Sequence, residues 1–588
     1  MSLWSNLSLG VGGLQTSSNA LNTVAHNMTN VDTEGFTRQQ VQQADKAYIT
    51  LSKTASAISY QQVGLGVYYS NVRQVRDYFL DKTYRREVGR QDFYDVSAST
   101  LQEVQDLLGE LNGASFQSSM SDLWTAVQEL SKDPCNSVTQ GTLVSEAAEF
   151  LSRAQAVYDG LCGYQDNLNI QVKQQVDQIN EYGKRILELN SRIRLIELSG
   201  ESANDMRDER NLILDKLASM ANISYEENVY GDVYVQIEGE DFVKGSLVFQ
   251  IELLQDNSTG FYTPFWPQNA EYTIDERGMK DYDISNALVF KLNRTISTEL
   301  NTDIGKLKSM LLARGDHRAD YTDIDQNYDD VRQSVLMNIQ AEFDQLMHNV
   351  MTAVNDVLAE SAGVTELTKG SDAALYDEIN ALYDPAELSD ENSYQILKVS
   401  DSNGYLTDVD GSPLQLFRKN TTDGYKLFTA SDGETYWVYQ KEDPAVKESL
   451  YSTTNSQINQ NLLQTPTRLG FRLEDGKEDV ATMARLKEVF TNESYTLNPY
   501  VLKKVNLNDY YGDLISQVAN SGYVYQSILS NQQTTVAAAE SARDQVTAVS
   551  SDEELSNMIK FQSAYNASSR FINVVNEMIE HLVTSLSS

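Results

Sequence analysis

Acidic side chains are the most abundant groups in this chain that could do chemistry. Asp and Glu total 84 and Lys and Arg total 46, a net charge of −38. A loose likeness to a calcium-binding loop is formed by Asp401, Asn403, Asp408 and Asp410. The fifth position of such a loop would be Tyr405, and the glycine is displaced. Turn formation explains these residues better, so we predict no metal site here.

A second acidic cluster has an equally simple explanation. It comprises Asp323, Asp325, Asp329 and Asp330. Carboxylates near a helix N-terminus complement the helix dipole, so this cluster is typical of a solvated helix start. Carboxylates are so frequent in this chain that any two could be paired by chance, and such pairs indicate no catalytic site.

The remaining chemically active residue types form no recognisable constellation. Cys135 and Cys162 match no metal or redox spacing, and whether they form a disulfide stays open. The four histidines are scattered, and no phosphate loop, Gly-x-Ser-x-Gly elbow or His-Glu-x-x-His motif occurs. We therefore predict no enzyme activity, no cofactor and no metal.

The charge balance also excludes two classes of partner. A nucleic-acid binder needs a basic face to neutralise phosphate, and an anionic membrane surface attracts basic segments. No basic residue precedes Arg38 and no apolar run approaches the ~18 residues of a membrane-spanning helix. We expect no nucleic acid and no membrane as partners, and either a cytoplasmic protein or export without a cleavable signal.

Both ends of the chain carry a helical stripe of apolar residues. No proline precedes Pro134 or follows Pro499, although glycines interrupt the N-terminal stretch. Spacings of three and four residues, which are typical of a heptad seam, join Trp4, Leu7, Val11, Leu14, Ser18, Leu21, Ala25 and Met28. The same spacing joins Met558, Phe561, Tyr565, Ser568, Ile572, Val575, Ile579, Leu582 and Leu586. Matching seams predict that the two ends pair with each other or with copies of themselves.

A rough free-energy comparison suggests how these ends behave. Ordering a helix costs about 1–2 kcal/mol per residue, whereas burying each large seam side chain returns about 1.5–3 kcal/mol. One seam does not compensate for ordering the C-terminal helix. We therefore expect both ends to be flexible in the monomer and to fold on assembly.

Between the ends, the pattern predicts long helices and two β-rich blocks. Helices are predicted over 101–130, 150–220 and 327–360, and Gly183 and Asn190 interrupt the apolar seam of the second. Period-two alternation over Val233, Val235 and Ile237 and the apolar run 248–253 predict strands. A β-rich insertion over 361–500 is predicted from hairpin dipeptides at Asn403-Gly404, Asp410-Gly411, Asp423-Gly424, Asp432-Gly433 and Asp475-Gly476.

The segment after the N-terminal seam carries a resemblance to a known family. The pattern Asn-x-x-Asn-x-x-Thr-x-Gly followed by an aromatic residue is matched by Asn27, Asn30, Thr33, Gly35 and Phe36. This resembles the signature of bacterial flagellar axial proteins, which form the rod, hook and hook–filament junction. His26 and Glu34 stand where the family often has Asn and Pro. Asn and Gly can end a helix, and Phe36 can fold back on it.

The resemblance extends beyond this signature. The segment from Asp552 to Leu586 is similar to the C-terminal helix of the family. The segments 69–87, 201–217 and 304–314 resemble the junction members, whereas rod and hook members lack such a long helical region. The resemblance is weakest over 361–500, where no residues match.

This resemblance implies an architecture. The fold class is mainly α with β insertions, an α+β multidomain chain. Residues 1–40 and 548–588 would form a terminal helical inner domain. Residues 41–360 and 501–547 would form a long-helix rod domain with a small β region at about 225–300. Residues 361–500 would form the outer β-rich domain.

The resemblance also implies a function, which is to join the flexible hook to the rigid filament. The partners would be hook protein below, a second junction protein above, copies of the chain in a helical ring and a cytoplasmic chaperone on the C-terminal helix. The chain would pass unfolded through the type III export apparatus and act outside the cell. The alternatives are another axial protein, such as a hook or distal rod protein, or a coiled-coil type III translocator or adhesin.

Overall fold

A computed structural model describes the backbone of residues 3–46, 49–52, 61–109, 115–274, 280–381, 393–402, 404–473 and 475–587. Helices dominate this part of the chain, and strands form small antiparallel sheets between them. The predicted fold class, mainly α with β insertions, is confirmed. The helices are α1 (Leu3–Thr29), α2 (Tyr78–Leu108), α3 (Phe116–Leu130), α4 (Ser137–Leu198), α5 (Asn204–Met220), α6 (Lys306–Arg314), α7 (Thr322–Gln326), α8 (Tyr328–Val331), α9 (Val335–Ser361), α10 (Ala373–Asn380), α11 (Gln460–Gln464), α12 (Val480–Thr491), α13 (Leu507–Thr547) and α14 (Ser551–Ser587).

The long helices differ from the predicted ones at their boundaries. The helix predicted over 101–130 is two helices, because α2 ends before Gly109 and Ser115 caps the N-terminus of α3 through its hydroxyl. The stretch 150–220 is also divided, since α4 ends at Leu198 and Gly200 takes a positive φ of 87° before α5. The stretch 327–360 is likewise divided, with Ser334 as the N-cap of α9.

The two residues that interrupt the seam of α4 have tertiary functions. A Cβ on Gly183 would lie 2.5 Å from Cζ of Phe242, so only glycine lets the β region approach the helix this closely. Asn190 is buried and pairs with the backbone of Val233, donating to its carbonyl at 2.8 Å and accepting from its amide at 3.1 Å. The apparent breaks in the apolar pattern are therefore the points where a sheet packs on α4.

Two four-stranded sheets and five two-stranded sheets are present in the described residues. The larger sheets have the orders β5-β6-β7-β8 and β13-β14-β17-β16, and every pair of neighbouring strands is antiparallel. The strands are β1 (Gln39–Asp45), β2 (Ile49–Ser52), β3 (Gln61–Val63), β4 (Val67–Gln74), β5 (Ile223–Glu227), β6 (Val233–Ile237), β7 (Glu240–Lys244), β8 (Leu247–Val248), β9 (Glu252–Gln255), β10 (Tyr262–Phe265), β11 (Glu271–Ile274), β12 (Lys280–Asp283), β13 (Thr365–Leu367), β14 (Tyr394–Lys398), β15 (Phe417–Lys419), β16 (Tyr425–Thr429), β17 (Thr435–Tyr439) and β18 (Ser456–Ile458).

The strand predictions are confirmed in part. The alternation over β6 is real, with Val233, Val235 and Ile237 buried. The apolar run 248–253 is not one strand, because β8 ends at Val248, the first residue of the run, and β9 begins only at Glu252. A turn residue with positive φ lies in three of the five predicted dipeptides, namely Gly411, Gly433 and Gly476.

The other two dipeptides differ. The hairpin predicted at Asp423-Gly424 is wrong, since β15 pairs with β18 rather than with the following strand β16. Asn403 lies outside the described residues, so the turn predicted there is not described. The segment between β13 and β18 also holds helix α10.

Aromatic side chains join the long helices in one core. The Phe116 ring lies 5.3 Å from that of Phe150, 5.1 Å from that of Phe343 and 4.7 Å from that of Tyr511, measured between ring centroids. Tyr511 also donates its hydroxyl to the carbonyl of Leu108 at 2.7 Å. Helices α2, α3, α4, α9 and α13 thus share a single apolar interior, and this group of helices, together with α5 and α6 that pack on it, is called the rod below.

Candidate assembly site at the paired chain ends

The first and last helices pack against each other in antiparallel orientation. A Cβ on Gly10 would lie 2.7 Å from Cγ1 of Ile572, and a Cβ on Gly13 would lie 2.8 Å from Oγ of Ser568. Glycine at these positions lets the two helix backbones come close together. The predicted pairing of the two ends is therefore present within a single chain.

The covered face of α1 lies one residue away from the predicted N-terminal seam. Apart from one valine it consists of small or polar residues, and its members are spaced by three and four, namely Gly10, Gly13, Ser17, Ala20, Val24 and Asn27. Of the predicted seam, Leu7, Leu14, Leu21 and Met28 are only half-buried and Val11 is exposed. The side chain of Trp4 lies outside the described residues.

The covered face of α14 coincides with the predicted C-terminal seam for most of its length. Val575 is buried, and half-buried side chains continue the face at Met558, Phe561, Tyr565, Ile572 and Ile579. Leu582 is exposed, and the side chain of Leu586 lies outside the described residues. The flank of the seam remains uncovered, with Ile559 66% and Met578 53% exposed.

The signature residues after α1 form a compact turn. Asn27 is buried and pairs with the backbone of Gln39, donating to its carbonyl at 2.9 Å and accepting from its amide at 3.0 Å. Asn30 donates to the carbonyl of His26 at 2.9 Å and accepts from the hydroxyl of Thr33 at 3.1 Å. The bond from Asn30 satisfies a carbonyl that the helix end leaves free, and the bonds between Asn27 and Gln39 fix the entry into β1.

Gly35 and Phe36 complete this turn. Gly35 has a φ of 78°, and a Cβ there would lie 3.1 Å from Cβ of Leu212 in α5. The Phe36 ring packs edge-on against His26 with centroids 5.4 Å apart. The aromatic residue thus folds back on α1, as the sequence predicts.

The turn is joined to the rod by a buried carboxylate. Asp208, in α5, accepts from the amide of Thr37 at 3.2 Å and from the side chain of Gln74 at 2.7 Å. Burial raises its pKa to about 6, although the bonds from Thr37 and the nearby Arg76 favour the charged form. The sequence gives little signal for this role, because Asp208 lies in a charged stretch that is typical of a solvated helix.

Arg38 joins the same turn to the C-terminal end. Its guanidinium lies 2.9 Å from a carboxylate oxygen of Glu554 and 2.8 Å from one of Glu553. Its backbone amide donates to the carbonyl of Thr547 at 2.8 Å. Because Glu554 is buried, this ion pair fixes the start of α14 relative to the turn and the rod.

The residues with possible metal or redox chemistry remain apart. No group of three or more His, Cys, Asp or Glu in the described ranges could hold a metal ion. Cys135 and Cys162 are free thiols. No helix in the described part of the chain is long and apolar enough to cross a membrane.

Family models match both ends and the helical middle. The model for "Flagella basal body rod protein" matches residues 7–37, which include most of α1 and the signature turn. The model for "Flagellar basal body rod FlgEFG protein C-terminal" matches residues 545–585, which include most of α14. The model for "Flagellar hook-associated protein FlgK helical domain" matches residues 101–372.

Curated relatives match almost the whole chain. Flagellar hook-associated protein 1 of Bacillus subtilis is 24% identical and covers 96% of this chain and 95% of the relative. The proteins of that name from Escherichia coli and Salmonella typhimurium are 21% and 22% identical, each covering 97% of this chain and 98% of the relative.

Among solved structures, the flagellar hook junction protein FlgK from Burkholderia pseudomallei is 11% identical, with a TM-score of 0.49, and the match covers 80% of this chain and all of that one. The matches of the relatives and the family models together include the paired ends and the helical middle. The chain is therefore a structural protein of the bacterial flagellum, similar over nearly its whole length to flagellar hook-associated protein 1.

Proposed function

We propose that the chain is an adaptor that joins the flexible hook to the rigid filament and assembles through its paired terminal helices. The observation that carries this proposal is the incomplete burial of that pair. One face of each helix is covered by the other, while large apolar side chains on α14 remain exposed at Leu555, Ile559, Phe571, Val574, Met578, Leu582 and Val583.

An uncovered apolar flank favours packing against neighbouring copies. Fully burying a large apolar side chain contributes about 1.5–3 kcal/mol. These seven side chains are 38–66% exposed, so covering them would contribute roughly half of that each and offset part of the cost of association. If each copy contacts the next through different surfaces related by a screw rotation, the assembly extends as a tube. The predicted seam residues Val11 on α1 and Leu582 on α14 are exposed and available for such contacts.

We propose that the chain is divided into three domains, with the paired ends innermost in the tube. Residues 1–40 and 548–588 would form the inner layer of the tube. Residues 41–360 and 501–547 would form the rod domain, and residues 361–500 would form the outer domain. The polar turn at Asn27 and Arg38 supports this boundary, since it joins the helical pair to the rod through specific hydrogen bonds.

The proposed partners are hook protein below, the second hook–filament junction protein above and further copies of the chain in a ring. The exposed apolar flank of α14 would also need protection before assembly, which favours a cytoplasmic chaperone bound there until export. In this proposal the protein acts outside the cell after a transient cytoplasmic stage, without enzyme activity or a cofactor.

The proposal is tested by adding purified protein to isolated hook–basal bodies and imaging them by electron microscopy. We expect a short zone at the hook tip that then accepts the second junction protein. Long tubes formed by the protein alone would instead indicate a hook or rod subunit. No addition would favour a translocator or adhesin.

A matched pair of variants tests whether the exposed flank carries assembly. Ile559→Lys places a charge on that flank, and we expect it to abolish addition to the hook tip. Val229→Lys makes the same kind of change at a side chain that is 93% exposed on the rod, and it should leave addition intact. Equal addition by both variants would contradict the assigned surface.

The expected flexibility of both ends before assembly remains a prediction. Hydrogen exchange in dilute monomer tests it directly. Rapid exchange over residues 1–30 is expected, and strong protection would show that the helical pair is stable before assembly.

A further inference from the structure

A polar cavity in the rod lies between the β6–β7 turn and the N-terminal end of α6. Its volume is about 320 Å³, at the lower end of the range of small-molecule sites, which is roughly 300–1,000 Å³. The charged residues in its wall are Lys291, Arg294, Lys308, Glu238 and Glu240. Cations therefore outnumber carboxylates here, whereas carboxylates are almost twice as numerous as cations in the whole chain.

The deepest cation in this wall has no partner. Lys308 is only 5% exposed, and its ammonium makes no hydrogen bond and no ion pair with any described residue. Burial lowers the pKa of this amine, and the nearby Glu238 partly opposes that effect. A largely buried cation without a protein partner takes its hydrogen bonds from whatever enters the cavity, so this position favours an anion from outside the protein.

Two more polar atoms in the same wall are also unpaired. The indole N–H of Trp266 is buried and donates to no described residue. The Oε1 atom of Glu238 is also buried and accepts no hydrogen bond from a described residue. Buried donors and acceptors are nearly always paired in folded proteins, so two unpaired buried atoms in one cavity wall are unusual.

The backbone around the cavity supports this interpretation. Only two non-glycine residues in the described ranges have a positive φ, Glu238 and Asn301, each at 51°, and both line this cavity. Glu238 occupies the first position of the two-residue turn between β6 and β7, where Asn, Asp or Gly is usual. Strained positions of this kind concentrate at binding sites.

We propose that this cavity binds the carboxylate or phosphate group of a small molecule, with Lys308 as the counter-charge. The exposed Lys291 and Arg294 lie in the same wall and would attract the anion. This inference does not depend on the proposed function in the flagellum.

The test uses the full-length protein labelled with nitrogen-15 at its indole groups. Four tryptophans give few resonances, and Trp266→Phe identifies the one from the cavity. Inorganic phosphate and succinate are titrated separately at constant ionic strength. We expect a saturable shift of the Trp266 resonance with at least one of them. A response to phosphate alone or to succinate alone distinguishes the two ligand classes.

Two matched lysine variants decide the result. Lys308→Met should weaken binding about 10- to 100-fold, because a hydrogen bond to a charged group is lost. Lys306→Met changes a lysine two residues away that does not line the cavity, and it should bind like the wild type. The other indole resonances report whether each variant is folded, and Arg294→Ala at the exposed rim should weaken binding if Lys308→Met does not fold. The absence of a saturable shift with either anion, or equal binding by Lys308→Met, would overturn the proposal.

Discussion

Replacing Asn190 by leucine tests whether this residue merely interrupts the apolar seam of α4 or stabilises the contacts of that helix. By its pattern, Asn190 is a polar interruption of an apolar seam, and leucine would complete that seam. In the structure, Asn190 holds the end of a sheet and a buried cation. Its amide pairs with both backbone groups of Val233, and its oxygen accepts from the guanidinium of Arg210 at 2.9 Å. We therefore expect Asn190→Leu to destabilise the rod.

The expected magnitude follows from these three bonds. An unsatisfied buried group costs about 1–3 kcal/mol, and the bond to the buried Arg210 is charge-assisted, so the total loss is roughly 3–6 kcal/mol. Burying the leucine side chain returns about 1.5–3 kcal/mol, and its better helix propensity adds about 0.5 kcal/mol. The net destabilisation is therefore about 1–3 kcal/mol.

The assay is hydrogen exchange at the backbone amide of Val233. This amide donates directly to Asn190, so its protection reports the local free energy of opening. A loss of about 1.4–2.8 kcal/mol corresponds to a 10- to 100-fold lower protection factor. Asn167→Leu is the matched control, since it lies exposed on the same helix and should change stability by less than about 0.5 kcal/mol. Unchanged or stronger protection of Val233 in Asn190→Leu would refute the reasoning.

Three further predictions concern other parts of the chain. Gly183→Ala should destabilise the rod by about 1–3 kcal/mol through overpacking. Gly163→Ala, with open space around it, should stabilise the rod by about 0.5–1 kcal/mol. Thermal unfolding measures both variants, and a change of stability in the same direction for both would contradict the packing argument. Burial raises the pKa of Glu342 from its ordinary value of 4.5 to about 7, so the folded state binds the extra proton and stability should fall as pH rises from about 4.5 to 7. Denaturation across this range should show a flatter profile for E342Q, and an unchanged profile would mean that another group titrates. Arg38→Ala leaves the buried carboxylate of Glu554 unpaired and should destabilise the docking of α14 by about 3–5 kcal/mol. Hydrogen exchange over residues 551–558 in the assembled protein should become faster. Exchange at the wild-type rate would show that the ion pair does not hold α14.

Much of the candidate site could be predicted because its signals are local. The spacing of Phe561, Tyr565 and Ile572 depends only on the geometry of one helix, and these residues lie on its covered face. The helix stop near Asn30 and the positive φ of Gly35 depend on the conformational preferences of those residues. The fold class follows from the same periodicities.

The covered face of α1 could not be predicted in this way. A search for large apolar residues selects the stripe with Leu14 and Leu21, whereas close helix contact selects the stripe with Gly10 and Gly13. Which stripe faces the partner depends on the distance between two helix axes, and that distance is set by residues more than 500 positions apart in the chain. The stripe of large apolar residues, which includes Leu14 and Leu21, is then left for contacts with other molecules.

By itself, the sequence determined the helical ends, the turn that stops the first helix and the likeness to a family, because each depends on neighbouring residues. Only the tertiary structure decided that Asp208 and Arg38 join those ends to the rod, that Asn190 holds a sheet and that Lys308 lies buried without a partner. These properties depend on burial and on pairing between distant segments. A charged or polar residue has the same sequence signature whether it faces water or completes a buried network.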